Sequence, residues 1–242
     1  MTGSVRPGRG TLGTQARTGL EWACARLEFL QHAIEEMPGM TLASVTVVGR
    51  NEALVAAWRM EFHAHPSVAV VQGSILESHA NTLVSPANSF GLMDGGLDLA
   101  LRDHFGTTVE RAVREVIAAR YHGELPVGLA TIVETGHARH RYLITAPTMR
   151  FPGDVSRTVN AYLAMKATLQ VAIAHPEPLG VAVPGFCAGT GGMSAGQVAR
   201  QMRIAYERVV VGLHACGHWR EELEFERYIR GDSPARPAGG AA

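Results

Sequence analysis

Asn88 and Asp98 stand ten residues apart on either side of a Gly-rich turn, in Ser85-Pro86-Ala87-Asn88-Ser89-Phe90-Gly91-Leu92-Met93-Asp94-Gly95-Gly96-Leu97-Asp98. The segment follows the apolar run Thr82-Leu83-Val84 and leads into a helical pattern. An amide at a strand end and a carboxylate at a helix entry put a hydrogen-bonding group and a proton acceptor on one loop. The glycines let backbone N–H groups approach an anion, and a helix N-terminus adds about half a positive charge. Asp94 is a second carboxylate in reach, and it is also well placed to cap the helix. The bland alternative is a strand-to-helix loop that needs glycine only for its backbone angles.

A second loop of the same kind is Pro184-Gly185-Phe186-Cys187-Ala188-Gly189-Thr190-Gly191-Gly192-Met193-Ser194. Its glycines, just ahead of a helix, are suited to wrapping N–H groups around a diphosphate. The Gly-Lys-Ser/Thr ending of a nucleotide-hydrolysing loop is missing, which disfavours ATP turnover. Gly185 to Gly189 also allow a nucleophile elbow around Cys187. That elbow needs a helix at once, whereas Gly189 to Gly192 prolong the loop. Its partners, Glu207 and His214, share one expected helix, a poor triad geometry. Cys187 is therefore expected to pack the loop rather than attack a substrate.

The elements that must position these loops alternate. Helical spacing covers Leu20 to Met37, then Ser44 to Val48 reads as a strand and Asn51 caps a helix bearing Leu54, Val55, Trp58 and Phe62. Strands follow at Val68 to Val71 and Leu83-Val84, then helices over Leu97 to Phe105 and Thr107 to Tyr121, divided at Gly106. Ala130 to Val133 and Tyr142 to Ala146 form an antiparallel-looking pair. A helix over Ser156 to His175, a strand over Gly180 to Val183, a helix from Ser194 to about Leu213 and a last one over Trp219 to Tyr228 complete the pattern. Alternation predicts an α/β fold with a mixed sheet, both Gly-rich loops leaving the carboxyl ends of strands where ligands bind in open sheets. Val45 to Ser74 is similar to a dinucleotide- or adenosylmethionine-binding unit, but only Gly49 stands where the glycine fingerprint belongs.

With 242 residues, the chain is expected to hold one domain over 41–230, an extra helix over 19–40, and disordered tails over 1–18 and 231–242. The 22 basic side chains, Lys166 the single lysine, balance 22 acidic ones, which disfavours a nucleic-acid partner. No apolar run reaches the roughly 18 residues of a membrane span. Cys24, Cys187 and Cys216 are too few and scattered for a disulfide framework, which suits the cytoplasm. The pairs His63/His65, His137/His140 and Cys216/His218 form no four-ligand zinc set, so no metal is expected. The sequence is silent on oligomeric state.

Taken together, the two loops resemble the macrodomain family, which binds ADP-ribose. Ser85-Pro86-Ala87-Asn88 and Gly95-Gly96-Leu97-Asp98 occupy the family's first loop, with Met93 and Asp94 where glycines often stand. Ala188-Gly189-Thr190-Gly191-Gly192-Met193 matches its phosphate loop loosely, without the two aromatics. Pro126 to Thr131 and Arg141 to Pro147 resemble its middle strands, and the resemblance spans roughly 44–212. It implies a three-layer α/β/α fold. One departure concerns adenine: Gly73-Ser74-Ile75 stands where the family usually has Gly-Asp-Ile, whose Asp bonds the adenine amino group.

In the hydrolytic branch of the family an Asn holds the distal ribose and an Asp ten residues later sits near the anomeric carbon. The resemblance thus implies a hydrolase without a cofactor, removing mono-ADP-ribose from acidic side chains of a modified protein. Asn88, Asp98 and Asp94 are the implied catalytic residues. Ser74, Ile75, Ala87, Gly95, Gly96, Leu97, Gly189, Thr190, Gly191, Gly192 and Met193 are the implied ligand contacts. A non-catalytic ADP-ribose reader and a hydrolase of a small derivative, such as O-acetyl-ADP-ribose or ADP-ribose-1″-phosphate, remain the alternatives.

Overall fold

The structure is a computed structural model that describes residues 42–212 and 218–233. The helix expected over 19–40, the N-terminal tail and most of the C-terminal tail lie outside these residues. In chain order the described elements are β1 (Leu42–Gly49), α1 (Glu52–Glu61), β2 (Val68–Gln72), β3 (Thr82–Ser85), α2 (Gly96–Phe105), α3 (Thr107–Tyr121), β4 (Thr131–Glu134), β5 (Tyr142–Thr145), α4 (Asn160–Ala174), β6 (Leu179–Val183), α5 (Ala195–Tyr206) and α6 (Trp219–Arg230). They build one sheet of order β2-β1-β6-β3-β5-β4. The pairs β1–β2, β1–β6, β3–β6 and β3–β5 are parallel, and β4 alone runs antiparallel, against β5. The sheet is mixed, as the β4–β5 pattern predicted.

Period-2 alternation sends neighbouring strand residues to opposite faces. Val47, Val84, Ile144 and Val183 point into one core, with Leu54, Val55 and Trp58 of α1, Ala161, Ala164 and Met165 of α4, and Val198 and Met202 of α5. Val48, Leu83, Leu143 and Ala182 point into the other, with Leu101 of α2 and Val109, Val113 and Ile117 of α3. The result is the three-layer α/β/α architecture. Because both faces are covered, β3 and β5 are buried along their whole length, with consecutive apolar residues, Leu83-Val84 and Leu143-Ile144, at their centres.

Local chemistry sets the helix ends. Asn51 Oδ1 accepts the Leu54 N–H at 3.0 Å, which starts α1. Ser194 and Gln197 form a capping box at α5. Gly106, at φ 85°, divides α2 from α3 in a conformation that other residues rarely adopt. Two boundaries differ from expectation. α4 begins at Asn160 rather than Ser156, because Asp154 Oδ1 takes the Ser156 N–H at 2.8 Å and the Thr158 hydroxyl donates to Val155 O at 2.7 Å, holding turns instead of helix. After Tyr206 the α-helix widens into a π-helical turn, Glu207–Val211, that stops at Gly212. Among the described residues no helix is long and apolar enough to cross a membrane.

Candidate functional site

The carboxyl ends of β1, β2, β3, β5 and β6 all feed one cleft of about 590 Å³. Gly49 and Arg50 follow β1, Gly73 and Ser74 follow β2, Pro86 to Asn88 follow β3, Thr148 and Met149 follow β5, and Pro184 and Gly185 follow β6; all line the cleft. That is the ligand position expected of open α/β sheets.

Asp98 occupies the third position of α2, where its carboxylate faces the positive end of the helix dipole. It is only 8% exposed, and it lines the cleft. The Ser85 hydroxyl, from the end of β3, donates to its Oδ1 at 2.5 Å. Burial pushes its pKa up from 3.8 to about 6; the Ser85 hydrogen bond pulls the other way, and the carboxylates of Asp94 and Glu110 add to the rise. A carboxylate titrating near neutrality is suited to accepting a proton at physiological pH.

Asp94 is exposed at the mouth, and it does not cap the helix: the N-cap is Gly95, without a side-chain capping bond. Asn88 lines the cleft, but its amide also organises its own loop. Its Oδ1 accepts the N–H groups of Phe90 at 3.0 Å and Leu92 at 3.3 Å, and its Nδ2 donates to Leu92 O at 2.7 Å. One Nδ2 hydrogen is left over. The loop is tied to the segment after β5 by bonds between Ala87 O and Thr148 N and between Ser89 N and Arg150 O. The Phe90 and Phe151 rings stand 4.9 Å apart beneath the Arg150 guanidinium, which Glu124 holds at 2.6 and 2.9 Å.

The glycines sort into two kinds. At Gly91 and Gly191 an added Cβ would fall 2.8 Å from packed neighbours, so these serve close packing. At Gly73, Gly95, Gly96 and Gly189 nothing among the described residues, local chain neighbours aside, lies within 4 Å of that position, and all four line the cleft. Among the described residues, no protein acceptor engages the N–H groups of Gly95, Gly96, Gly189, Thr190 or Gly191. Two N–H-rich segments thus face one space, and among the described residues Arg50 is the single basic side chain lining it. Such an array suits a diphosphate.

Ser74, Ile75, Ala87, Asn88, Asp94, Gly95, Gly96, Leu97, Asp98, Gly189, Thr190 and Gly191 are all brought together here. Gly192 and Met193 are not: their N–H groups donate within the loop, to Gly189 O at 2.9 Å and Cys187 O at 3.0 Å, and the Met193 side chain is buried in the core. Arg50 and Thr148 were missed. Position alone could have flagged Arg50, as the first residue past the carboxyl end of β1.

Cys187 is buried at φ 63°, and burial pushes its thiol up to about 12, where almost no thiolate exists at neutral pH. Glu207 is engaged elsewhere, with Arg203 at 2.6 Å and His65 at 3.0 Å. Cys187→Ser should therefore leave any turnover largely intact, and intact-mass spectrometry should find no adduct after incubation with substrate. A thioester or thioglycosyl adduct would reinstate the elbow.

Residues 84–202 match the Macro domain family. An uncharacterized protein of Aeropyrum pernix is 37% identical over 139 residues, covering 57% of this chain and 69% of its own length. A macro domain-containing protein of Streptomyces griseus is 28% identical over 141 residues, covering 58% and 79%. Among solved structures, the macrodomain of Mycobacterium tuberculosis DarG aligns with a TM-score of 0.49 at 22% identity, covering 57% of this chain and 88% of that one. With its two Gly-rich loops converging on one cleft of a six-stranded mixed sheet, the chain belongs to the macrodomain family.

Proposed function

We propose that the cleft binds ADP-ribose and that the protein hydrolyses the ester joining mono-ADP-ribose to acidic side chains of a modified protein. The observation that supports this most is Asp98: a buried carboxylate with a pKa of about 6, facing the same cleft as two N–H-rich loops. In this reading the diphosphate lies against the N–H groups of Gly95-Gly96 and Gly189 to Gly191, with Arg50 adding charge. Asn88 shapes the first loop and offers its remaining N–H to the distal ribose, converting binding energy into orientation. Asp98 accepts a proton from the attacking water or a ribose hydroxyl, and the products are ADP-ribose and the restored protein carboxylate. Binding without turnover is the second reading. It draws on the Asn88 amide, which already makes three hydrogen bonds within its own loop. Incubation with a protein mono-ADP-ribosylated on Glu and Asp separates the two: released ADP-ribose supports the hydrolase, and tight binding without release supports the reader.

Adenine recognition falls to the β2 end. Ser74 lines the cleft and makes no side-chain capping bond to the turn Ile75–Glu77 that follows it. A hydroxyl there is a weaker partner for an amino group than a carboxylate. Calorimetric titration should give ADP-ribose a dissociation constant at the micromolar level, about −8 kcal/mol. Ser74→Asp should tighten it by about 1–2 kcal/mol, a charge-assisted hydrogen bond replacing a neutral one. Unchanged or weaker affinity would remove Ser74 from adenine recognition, and no heat with the unaltered chain up to millimolar ADP-ribose would remove the ligand.

A further inference from the structure

Three imidazoles from distant parts of the sequence meet at the other end of the sheet from the cleft. His104 lies in the last turn of α2, and His137 and His140 lie in the connection from β4 to β5. Since β5 runs toward the cleft, this connection sits at the amino ends of the parallel strands. His140 also reaches Ser78 O, ahead of β3. One nitrogen from each ring lies within 4.8 Å of the others. Neither the spacing of His137 and His140 nor the position of His104 announces this grouping in the sequence.

We propose that His104, His137 and His140 form a binding site for one divalent transition-metal ion of the zinc class. Zinc bonds to imidazole at about 2.0–2.1 Å, which in tetrahedral geometry sets ligand nitrogens about 3.3 Å apart. His104 Nε2 and His140 Nδ1 are already 3.1 Å apart. The third nitrogen needs an inward movement of about 1.5 Å at most to reach the same spacing. His140 has the arrangement of an oriented ligand: its Nε2–H donates to Ser78 O at 2.9 Å, which leaves Nδ1 with its lone pair turned toward His104. The bond between the two rings requires one unprotonated nitrogen, so the pair holds a lone pair at its centre.

A metal ion between them replaces that hydrogen bond with two coordinate bonds, the His104 proton moving to its Nδ1. His137 requires the larger adjustment. Its Nδ1 accepts the N–H groups of Arg139 at 3.2 Å and His140 at 3.1 Å, and the half-buried ring turns or releases them to coordinate. Three neutral nitrogens select zinc, nickel or copper over magnesium and calcium, which take oxygen ligands. The site would clamp the end of α2 to the β4–β5 connection, and it stands independently of any role for the cleft.

The test is calorimetric titration of the full, metal-stripped chain with Zn²⁺, with Co²⁺ absorption reporting coordination geometry and Mg²⁺ as control. The expected result is one equivalent of Zn²⁺ bound at about 1 μM or tighter, tetrahedral Co²⁺ bands, and no response to Mg²⁺. His104→Ala and His137→Ala should each weaken binding by about 100-fold, while His63→Ala, an exposed histidine bonded to Met60 O, should not. His140 is left in place because it also holds Ser78. The proposal is overturned if the unaltered chain shows no saturable Zn²⁺ binding below about 100 μM, or if His104→Ala and His137→Ala bind as it does.

Discussion

Asp98→Asn should make the protein more stable and nearly inactive. Burial raises the Asp98 pKa from 3.8 to about 6, so the folded state holds its proton over a window where the unfolded chain has released it. The native state therefore binds more protons than the unfolded state between these values, and stability falls as pH rises through them. Below about pH 4 the penalty is absent; above about pH 6 it is complete, at about 2–3 kcal/mol. Asparagine keeps an oxygen for the Ser85 hydroxyl and carries no charge to desolvate. Denaturant unfolding at pH 7 should show Asp98→Asn stabilised by up to that amount, with the difference vanishing near pH 4. Turnover of ADP-ribosylated protein should fall by about two orders of magnitude or more, the usual contribution of a positioned base. ADP-ribose affinity should change much less, because in the proposed reaction Asp98 acts on the reacting centre rather than on the bound ligand. Equal stability at both pH values would mean that Asp98 is not strained by burial.

The second large effect is expected at Gly191. A Cβ there would stand 2.8 Å from Cys187 O, 2.9 Å from Cys187 Cα and 2.8 Å from Val155 Cγ2. Two of these are backbone atoms that Met193 N already bonds or adjoins, so they cannot move aside as a side-chain end would. Gly191→Ala should push the second loop outward, costing about 1–3 kcal/mol of stability by overpacking and weakening ADP-ribose about 30-fold or more. Gly189→Ala is the contrast: nothing lies within 4 Å of its Cβ position, so stability should stay within about 0.5 kcal/mol and only the cleft should register the methyl. Normal binding by Gly191→Ala would mean that loop shape does not set affinity.

Much of this was legible because its cause is local. Asn51 and Ser194 cap helices through their own side chains, and Gly106 divides two helices by its own backbone angle. The first loop was legible for the same reason, a polar and Gly-rich stretch between a strand and a helix. The role of Asn88 was harder to see, since no pattern says whether an amide reaches a ligand or closes its own turn. Within the second loop, glycine count could not tell Gly189, open to the cleft, from Gly192, whose N–H turns inward to Gly189 O. Arg50, Thr148 and the His104–His137–His140 cluster arise from tertiary proximity, which strand order creates and local spacing does not encode. The start of α4 was misplaced because Asp154 and Thr158 bond their own neighbourhood in preference to extending the helix.

If Asp98 is the base in an ADP-ribose cleft, its ionisation should govern the pH dependence of kcat/KM. The reaction is release of ADP-ribose from a protein modified on Glu and Asp. With ionised Asp98 as the proposed active form, the profile should rise about tenfold per pH unit below about pH 6 and level off near pH 7. Asp98→Asn should lack that limb, and Asp94→Asn should keep it. A wild-type profile that stays flat from about pH 5 to 8, or a limb that survives in Asp98→Asn and disappears in Asp94→Asn, would contradict the assignment.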